Sequence, residues 1–278
     1  MLDPTPSSRP AEAIPTIRVS GWTQLIEELY RDSWDPQIER FRSPFVYRGM
    51  INACANLTTS LRRLGEGHEN LAVIEGHLLR NFLKYAHAES PGHKSIWHWM
   101  ALAQHHGLQT RLLDWSFSPF VAMHFATEDP ARFDGDAAIW CVNLNQTNRL
   151  LPEVLRQAAC EEGSNVFTVE MLSAIAPSLE AFEEMARYEF VLFMEPPSLD
   201  ARIVNQYALF SLMSSPSAQL DDWLERHPGT ARRIIIPASL RWEVRDKLDQ
   251  ANINERMLFP GLDGLSRWLS RYYRPKRR

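Results

Sequence analysis

The sequence predicts an α+β fold of mixed small β-sheets with surrounding helices, because strand-like and helix-like stretches intermingle without the regular alternation of a doubly wound sheet. Two stretches carry the strand reading most clearly, Phe45-Val46-Tyr47 and Ala137 to Leu144. The helical spacing of Trp22, Leu25, Ile26 and Leu29 carries the other half. Hydrophobic content of 45% and charged content of 23% match an ordinary globular chain.

In order, residues 1–15 hold Pro4, Pro6, Pro10 and Pro15 among small residues and read as a mobile lead-in. Thr16 to Val19 reads as a short strand, and Ser20 as the cap of the first helix. The strand at Phe45 is expected to end at Arg48-Gly49. A helical region spans about Leu57 to Ala88, with Leu71, Ile74, Leu78, Leu79 and Phe82 on one face. Ser95 caps a helix that Gly107 ends in a left-handed conformation. Leu112-Leu113 reads as a very short extended piece. Ser118-Pro119 then opens a helix with a capping hydroxyl and proline at the first position. Residues 145–186 are expected to be mostly helical, followed by strands at Phe190 to Met194, Leu209 to Leu212 and Ile234 to Ile236. Ser239 is expected to cap a helix over Leu240 to Ala251, and Leu262 to Tyr272 forms the last helix. Residues 16–273 thus read as a single domain, with a basic tail at 274–278.

Composition excludes several classes. A formal net charge of −4 opposes nucleic-acid binding by bulk electrostatics. Cys54, Cys141 and Cys160 form no CxxC pair, so neither a disulfide framework nor a zinc ribbon is expected. The start Met1-Leu2-Asp3-Pro4 lacks a secretory signal, and no apolar run nears the ~20 residues that span a bilayer. A cytoplasmic protein with no membrane partner is the expectation. The histidines show no metal-ligand spacing, so no metal is expected. Lysine occurs only at Lys84, Lys94, Lys247 and Lys276, leaving arginine, the better phosphate fork, as the main cation.

Three constellations carry polar chemistry. In Phe45-Val46-Tyr47-Arg48-Gly49, an arginine at a strand end beside glycine is placed to fork onto phosphate or carboxylate, or simply closes a strand. In Gln104 to Pro119, a helix N-terminus offers N–H groups to an anion, beside Asp114, Ser116 and Ser118. The structural alternative there is a corner in which Arg111 pairs with Asp114 or with a carboxylate from another segment. In Asp200 to Phe210, Arg202 and Gln206 lie four apart and share a face if the segment forms a helical turn; the alternative is solvent-exposed polar residues at an element boundary.

Together these stretches resemble the FRG domain, named for the Phe/Tyr-Arg-Gly motif found here as Tyr47-Arg48-Gly49. The pattern Q-H-x-G-x-x-T-R-L-L-D-W-x-x-S-P-x-x-A-x-x-F-A is matched by Gln104, His105, Gly107, Thr110 to Trp115, Ser118, Pro119, Ala122, Phe125 and Ala126. Arg202, Gln206 and Phe210 are similar to the family's R-x-x-x-Q-x-x-x-F, and Leu258 to Leu265 also fits. The resemblance covers about residues 20–272.

Tyr47-Arg48-Gly49 is also similar to the first motif of mono-ADP-ribosyltransferases. Asp114-Trp115-Ser116 resembles the placing of their Ser-Thr-Ser motif, and Gln206-Tyr207-Ala208 their third motif. This second resemblance implies an ADP-ribosyltransferase-like core that uses NAD as co-substrate. It implies cofactor binding by Tyr47, Arg48, Gly49, His106 and Ser116, with Arg48 on the pyrophosphate and His106 and Ser116 near the nicotinamide ribose. Ala208 stands where that family has its catalytic glutamate, so another acid has to serve. Asp114 is the first choice and Glu195 the second, with Gln206 orienting the acceptor. The implied setting is a toxin or phage-defence effector, acting on a protein or nucleic-acid acceptor and restrained by an antitoxin or regulatory protein. The alternatives are a non-enzymatic nucleotide-sensing or protein-binding module, and a metal-independent nuclease using the histidines and the basic tail.

Overall fold

The computed structural model describes residues 14–86, 95–198 and 200–276. The expected lead-in at 1–13, the far end of the helical region at 87–88 and the tail residues 277–278 lie outside the described residues. The chain runs β1 (Thr16–Arg18), α1 (Trp22–Tyr30), β2 (Trp34–Asp35), β3 (Arg40–Phe41), β4 (Phe45–Met50), α2 (Ser60–Leu64), α3 (Leu71–Ala86), α4 (Ile96–His105) and β5 (Leu112–Ser116). It continues through α5 (Pro119–Ala126), β6 (Ala137–Asn143), α6 (Leu144–Asn148), α7 (Glu153–Glu161), α8 (Val169–Ile175), α9 (Leu179–Glu183) and β7 (Val191–Met194). Then follow α10 (Ala201–Gln206), β8 (Ala208–Met213), α11 (Leu220–Arg226), β9 (Ala231–Ile236), α12 (Arg241–Gln250), α13 (Glu255–Leu258) and α14 (Leu262–Tyr272).

The α+β class is as read, but the expected small sheets are joined into one. Seven strands hydrogen-bond in the order β1-β9-β6-β4-β5-β8-β7, and only β2-β3 stands apart. All pairs in the large sheet are antiparallel except β1 with β9. Alternation sorts the side chains. Val46, Leu113, Trp115, Trp140, Val142, Leu209 and Phe193 face one way, against Leu220, Trp223 and Leu224 of α11. Phe45, Tyr47, Ile139, Cys141, Ile234 and Ile236 face the other way, under α1, α5 and α12. On that same face the β5-β8-β7 half carries Leu112, Leu212 and Leu192 beneath α4 and α8.

Several boundaries move for local reasons. The helical region from Leu57 is interrupted between α2 and α3. Gly21, not Ser20, occupies the cap position of α1, because Ser20 binds the Gln24 side chain at 2.8 and 2.9 Å. Ser239 does not cap α12. It lies in a 3-10 turn over Ala238–Leu240, and α12 starts at Arg241. Ser95 and Ser118 do cap α4 and α5, and Gly107 has φ +82°.

Arg111 is buried, and its partner is not Asp114. Its Nε donates to Glu75 at 2.7 Å and its Nη2 to Glu183 at 2.6 Å, closing α3 and α9 over the end of β5. Burial alone would lower its pKa, but Glu75 and Glu183 hold it above the ordinary value. The carboxylates come from other segments because Asp114 faces away from that core into solvent, its side chain 62% exposed.

Candidate functional site

β4 pairs with β6 through six residues but with β5 only at Tyr47 opposite Ser116. Beyond that rung the two central strands diverge. A cavity of about 370 Å³ opens there, within the range typical of small-molecule sites. Its lining includes Arg48, Asp114, Ser116, Glu128, Arg202 and Gln206. Arg48, Asp114 and Gln206, far apart in the sequence, therefore line one cavity.

Arg48 follows from the strand. It points to the face opposite Tyr47 and turns into the gap, where Nη1 donates to the main-chain carbonyl of Asp114. In a fully paired sheet that carbonyl would accept from β4. The Asp114 carboxylate lies 3.9 Å from the same Nη1. Nε of Arg48 is buried without a hydrogen-bond partner among the described residues. Burial lowers the arginine's pKa, Asp114 opposes that shift, and Arg63 adds to it. A guanidinium pinned by one N–H, with an orphaned donor, a desolvated charge and its carboxylate neighbour 3.9 Å away, has the chemistry to take up an anion.

Gly49 serves a different end from the one expected. β4 runs straight on to Met50, and a Cβ at Gly49 would overlap the Ala122 carbonyl oxygen and lie 2.6 Å from the Ala126 amide nitrogen. The missing side chain lets α5 lie directly on the strand. It is helix approach, rather than ligand approach, that requires glycine here.

Around the cavity, Gln104 Nε2 donates to both Asp114 oxygens at 3.2 Å, and Thr110 Oγ1 donates to Gln104 Oε1 at 2.6 Å. The matched Gln-His-x-Gly-x-x-Thr run thus orients Asp114. Ser116 Oγ donates to the Gln206 carbonyl at 2.7 Å and accepts from the Ser118 amide at 2.9 Å. Its hydroxyl ties β5 to the end of α10. Gln206 Nε2 donates to Leu258 O at 3.0 Å, and the Arg202 guanidinium lies 4.9 Å over the Phe259 ring. The Leu258-Phe259 stretch therefore backs α10. Tyr207, at φ 49°, makes the left-handed turn that reverses α10 into β8 and puts Ala208 in the lining.

Three sequence-predicted residues are placed differently. His106 caps α4 from the exposed side, its ring 5.3 Å from that of His105, and it does not line the cavity. His105 itself pairs with Asp200 at 3.0 Å. Glu195 is exposed after β7, the edge strand two places from β5, and does not reach the cavity either. Tyr47 touches the lining, but its hydroxyl donates to Leu29 O at 3.0 Å within the core, and burial pushes its pKa up to about 12.

Glu128 was missed. It follows the cap of α5 in an acidic Glu128-Asp129 pair, where a carboxylate opposes the helix dipole, the one signal the sequence offered. Behind it lies a buried network from α5 to α14. His124 Nδ1 is 2.9 Å from an Arg245 nitrogen, and Arg271 Nη2 reaches Glu255 and Asp249 at 2.8 and 2.7 Å. Burial and then Arg245 push the His124 pKa well down, so its ring is neutral.

A larger hollow of about 850 Å³ shares Met50 and Ala55 with this cavity. Its arginines are already engaged by main-chain carbonyls, Arg62 by Ser217 and Arg63 by Thr58. Glu66, Glu69 and Glu183 line it as well, and neither of these arginines has a buried, unpartnered nitrogen among the described residues, as Arg48 has at Nε.

Comparison with known proteins matches the FRG domain family model to residues 43–135. No curated protein and no solved structure gives a significant match. The matched segment holds β4, β5, α5 and Glu128, while Arg202, Gln206 and Ala208 fall beyond it.

Proposed function

We propose, from the premise that residues 43–135 carry an FRG domain, that its cavity binds NAD and transfers the ADP-ribosyl group. The observation that carries the binding half is Arg48, half-buried, held by one N–H, with its Nε unpartnered among the described residues. A pyrophosphate oxygen pair satisfies that fork, and Arg202 and Arg132 line the same cavity. The choice of NAD rests on the likeness of Tyr47-Arg48-Gly49 to the first motif of mono-ADP-ribosyltransferases. The biological setting, a toxin or phage-defence effector, rests on that likeness alone.

On this reading Arg48 fixes the phosphates and the nicotinamide ribose lies toward Asp114. Departure of nicotinamide leaves positive charge on the ribose, and the oriented carboxylate of Asp114 stabilises it. The amide oxygen of Gln206 has no partner among the described residues and is left to position an acceptor.

One observation favours a second reading, a nucleotide-binding module without turnover. Ala208 lines the cavity where the resemblance has a catalytic glutamate. Calorimetry with NAD and ADP-ribose, together with an assay of nicotinamide release, separates the two. Binding with release supports transfer, binding without release supports the module, and absence of binding removes both.

A further inference from the structure

We propose that Glu128, on the turn after α5, is the carboxylate that takes the acceptor's proton in this cavity. The inference rests on the ADP-ribosyl-transfer reading and deepens it.

Geometry supports the assignment first. Glu128 lines the same cavity as Arg48, Asp114 and Gln206. It is brought there by backbone packing, since α5 lies directly against β4 at Gly49 and Glu128 follows two residues after that helix ends. Its position is set by the contact that sets Arg48, one residue before Gly49.

Bonding distinguishes it from the other acids nearby. Glu255 and Asp249 are held by Arg271, Asp129 accepts from the Ala131 amide at 3.0 Å, and Asp114 accepts from Gln104. Glu128 is half-buried, and its carboxylate makes no hydrogen bond or ion pair among the described residues. A half-buried carboxyl that opens on a cavity and is bound by no partner is positioned to give or take a proton rather than to hold the fold.

Its charge environment fits the task. Glu255 of α13 and the adjacent Asp129 face it with like charge, while Arg267 of α14 and Arg245 of α12 oppose them. On the cavity side stand Arg48, Arg132, Arg202 and Asp114. Burial first, then Glu255 and Asp129, push its pKa from 4.5 to about 7. A general base is most effective with its pKa near the working pH.

The step balances. The acceptor oxygen forms a bond to the ribose C1′ while the C1′–N bond breaks and its electron pair leaves with nicotinamide. The acceptor's proton passes to the Glu128 carboxylate, which returns it to solvent. Asp114 and Glu128 thus divide the work between cation stabilisation and proton transfer.

The test uses the full chain with NAD, and water as the probe acceptor. Nicotinamide release, NAD affinity and melting temperature are measured between about pH 5 and 9 for the wild type and Glu128→Gln. The wild-type rate should rise with pH through an inflection near neutrality. Glu128→Gln should lose about 100-fold or more of the rate and the inflection with it, at unchanged NAD affinity and without loss of melting temperature. Retained turnover with the same inflection overturns the inference and leaves the transfer reading standing. Loss of affinity or melting temperature together with rate makes Glu128 a structural residue and also overturns it. Wild-type protein that binds NAD without releasing nicotinamide overturns the inference and leaves the binding module, while failure to bind NAD overturns both readings.

Discussion

Arg48 donates to the main-chain carbonyl oxygen of Asp114, bridging two central strands that have stopped pairing with one another. The anchor is backbone, so the side chain of Asp114 can change without releasing the arginine. Asp114→Asn should therefore leave NAD affinity close to that of the wild type. Nicotinamide release should fall by about tenfold or more, because the lost interaction grows only as charge develops on the ribose. Parallel calorimetry and rate measurements check this split, and an equal loss in both would place Asp114 in ground-state binding.

Arg111 answers to stability instead. It is enclosed with Glu75, and both are nearly inaccessible to solvent, their side chains 1% exposed. Arg111→Ala leaves Glu75 buried without its partner and should cost about 3–5 kcal/mol. For a chain of this size, that lowers the melting temperature by roughly 10 °C. Replacing Arg111 and Glu75 together by apolar residues should recover part of the loss. A normal melting curve for Arg111→Ala would contradict this account.

Gly49→Ala tests the close approach of α5 to β4. The new methyl meets backbone of Ala122 and Ala126, which cannot rotate away as a side chain would. The expected cost is about 1–3 kcal/mol, read by denaturant unfolding. NAD affinity should weaken as well, since the helix and strand that frame the cavity must separate. A stable variant with wild-type affinity would show that the helix yields freely.

Glu128 makes stability depend on pH in a defined sense. Its carboxyl is raised from 4.5 to about 7, so the folded chain holds a proton there that the unfolded chain has released. The penalty is absent below pH 4.5, grows as pH rises, and is complete above about pH 7. Glu128→Gln should then be more stable than the wild type at alkaline pH, by on the order of 1–2 kcal/mol after allowance for solvent screening, and equal to it in acid. Unfolding curves at the two extremes measure the difference. A variant less stable than the wild type at high pH would mean that Glu128 is bonded.

Much of the fold was legible because its signals are local. Ser118-Pro119, Ser95 and Gly107 each mark a helix end by their own backbone chemistry, and all three behave as read. The joining of strands into one sheet was not legible. It depends on pairings such as Ala137 with Ile236 and Leu112 with Leu212, about a hundred positions apart, which periodicity does not encode. The candidate site divides in the same way. Arg48, Asp114 and Gln206 stand out in the sequence as polar residues expected at element ends; they converge, although Arg48 lies within β4 and Asp114 within β5, and only Gln206 ends its element. His106 stands beside the right motif but on the outside of its helix. Glu128 carries no motif and becomes visible only when Gly49 brings α5 onto β4.

The account turns on whether the fork of Arg48 holds the phosphates of NAD. Calorimetric titration of the full chain with NAD, for the wild type and for Arg48→Lys, tests this most directly. Lysine keeps the charge but presents a point rather than a fork, so both proteins should melt alike while the variant binds about tenfold or more weakly. Wild-type protein that takes up no NAD, or an Arg48→Lys variant that binds it as tightly as the wild type, would contradict the account.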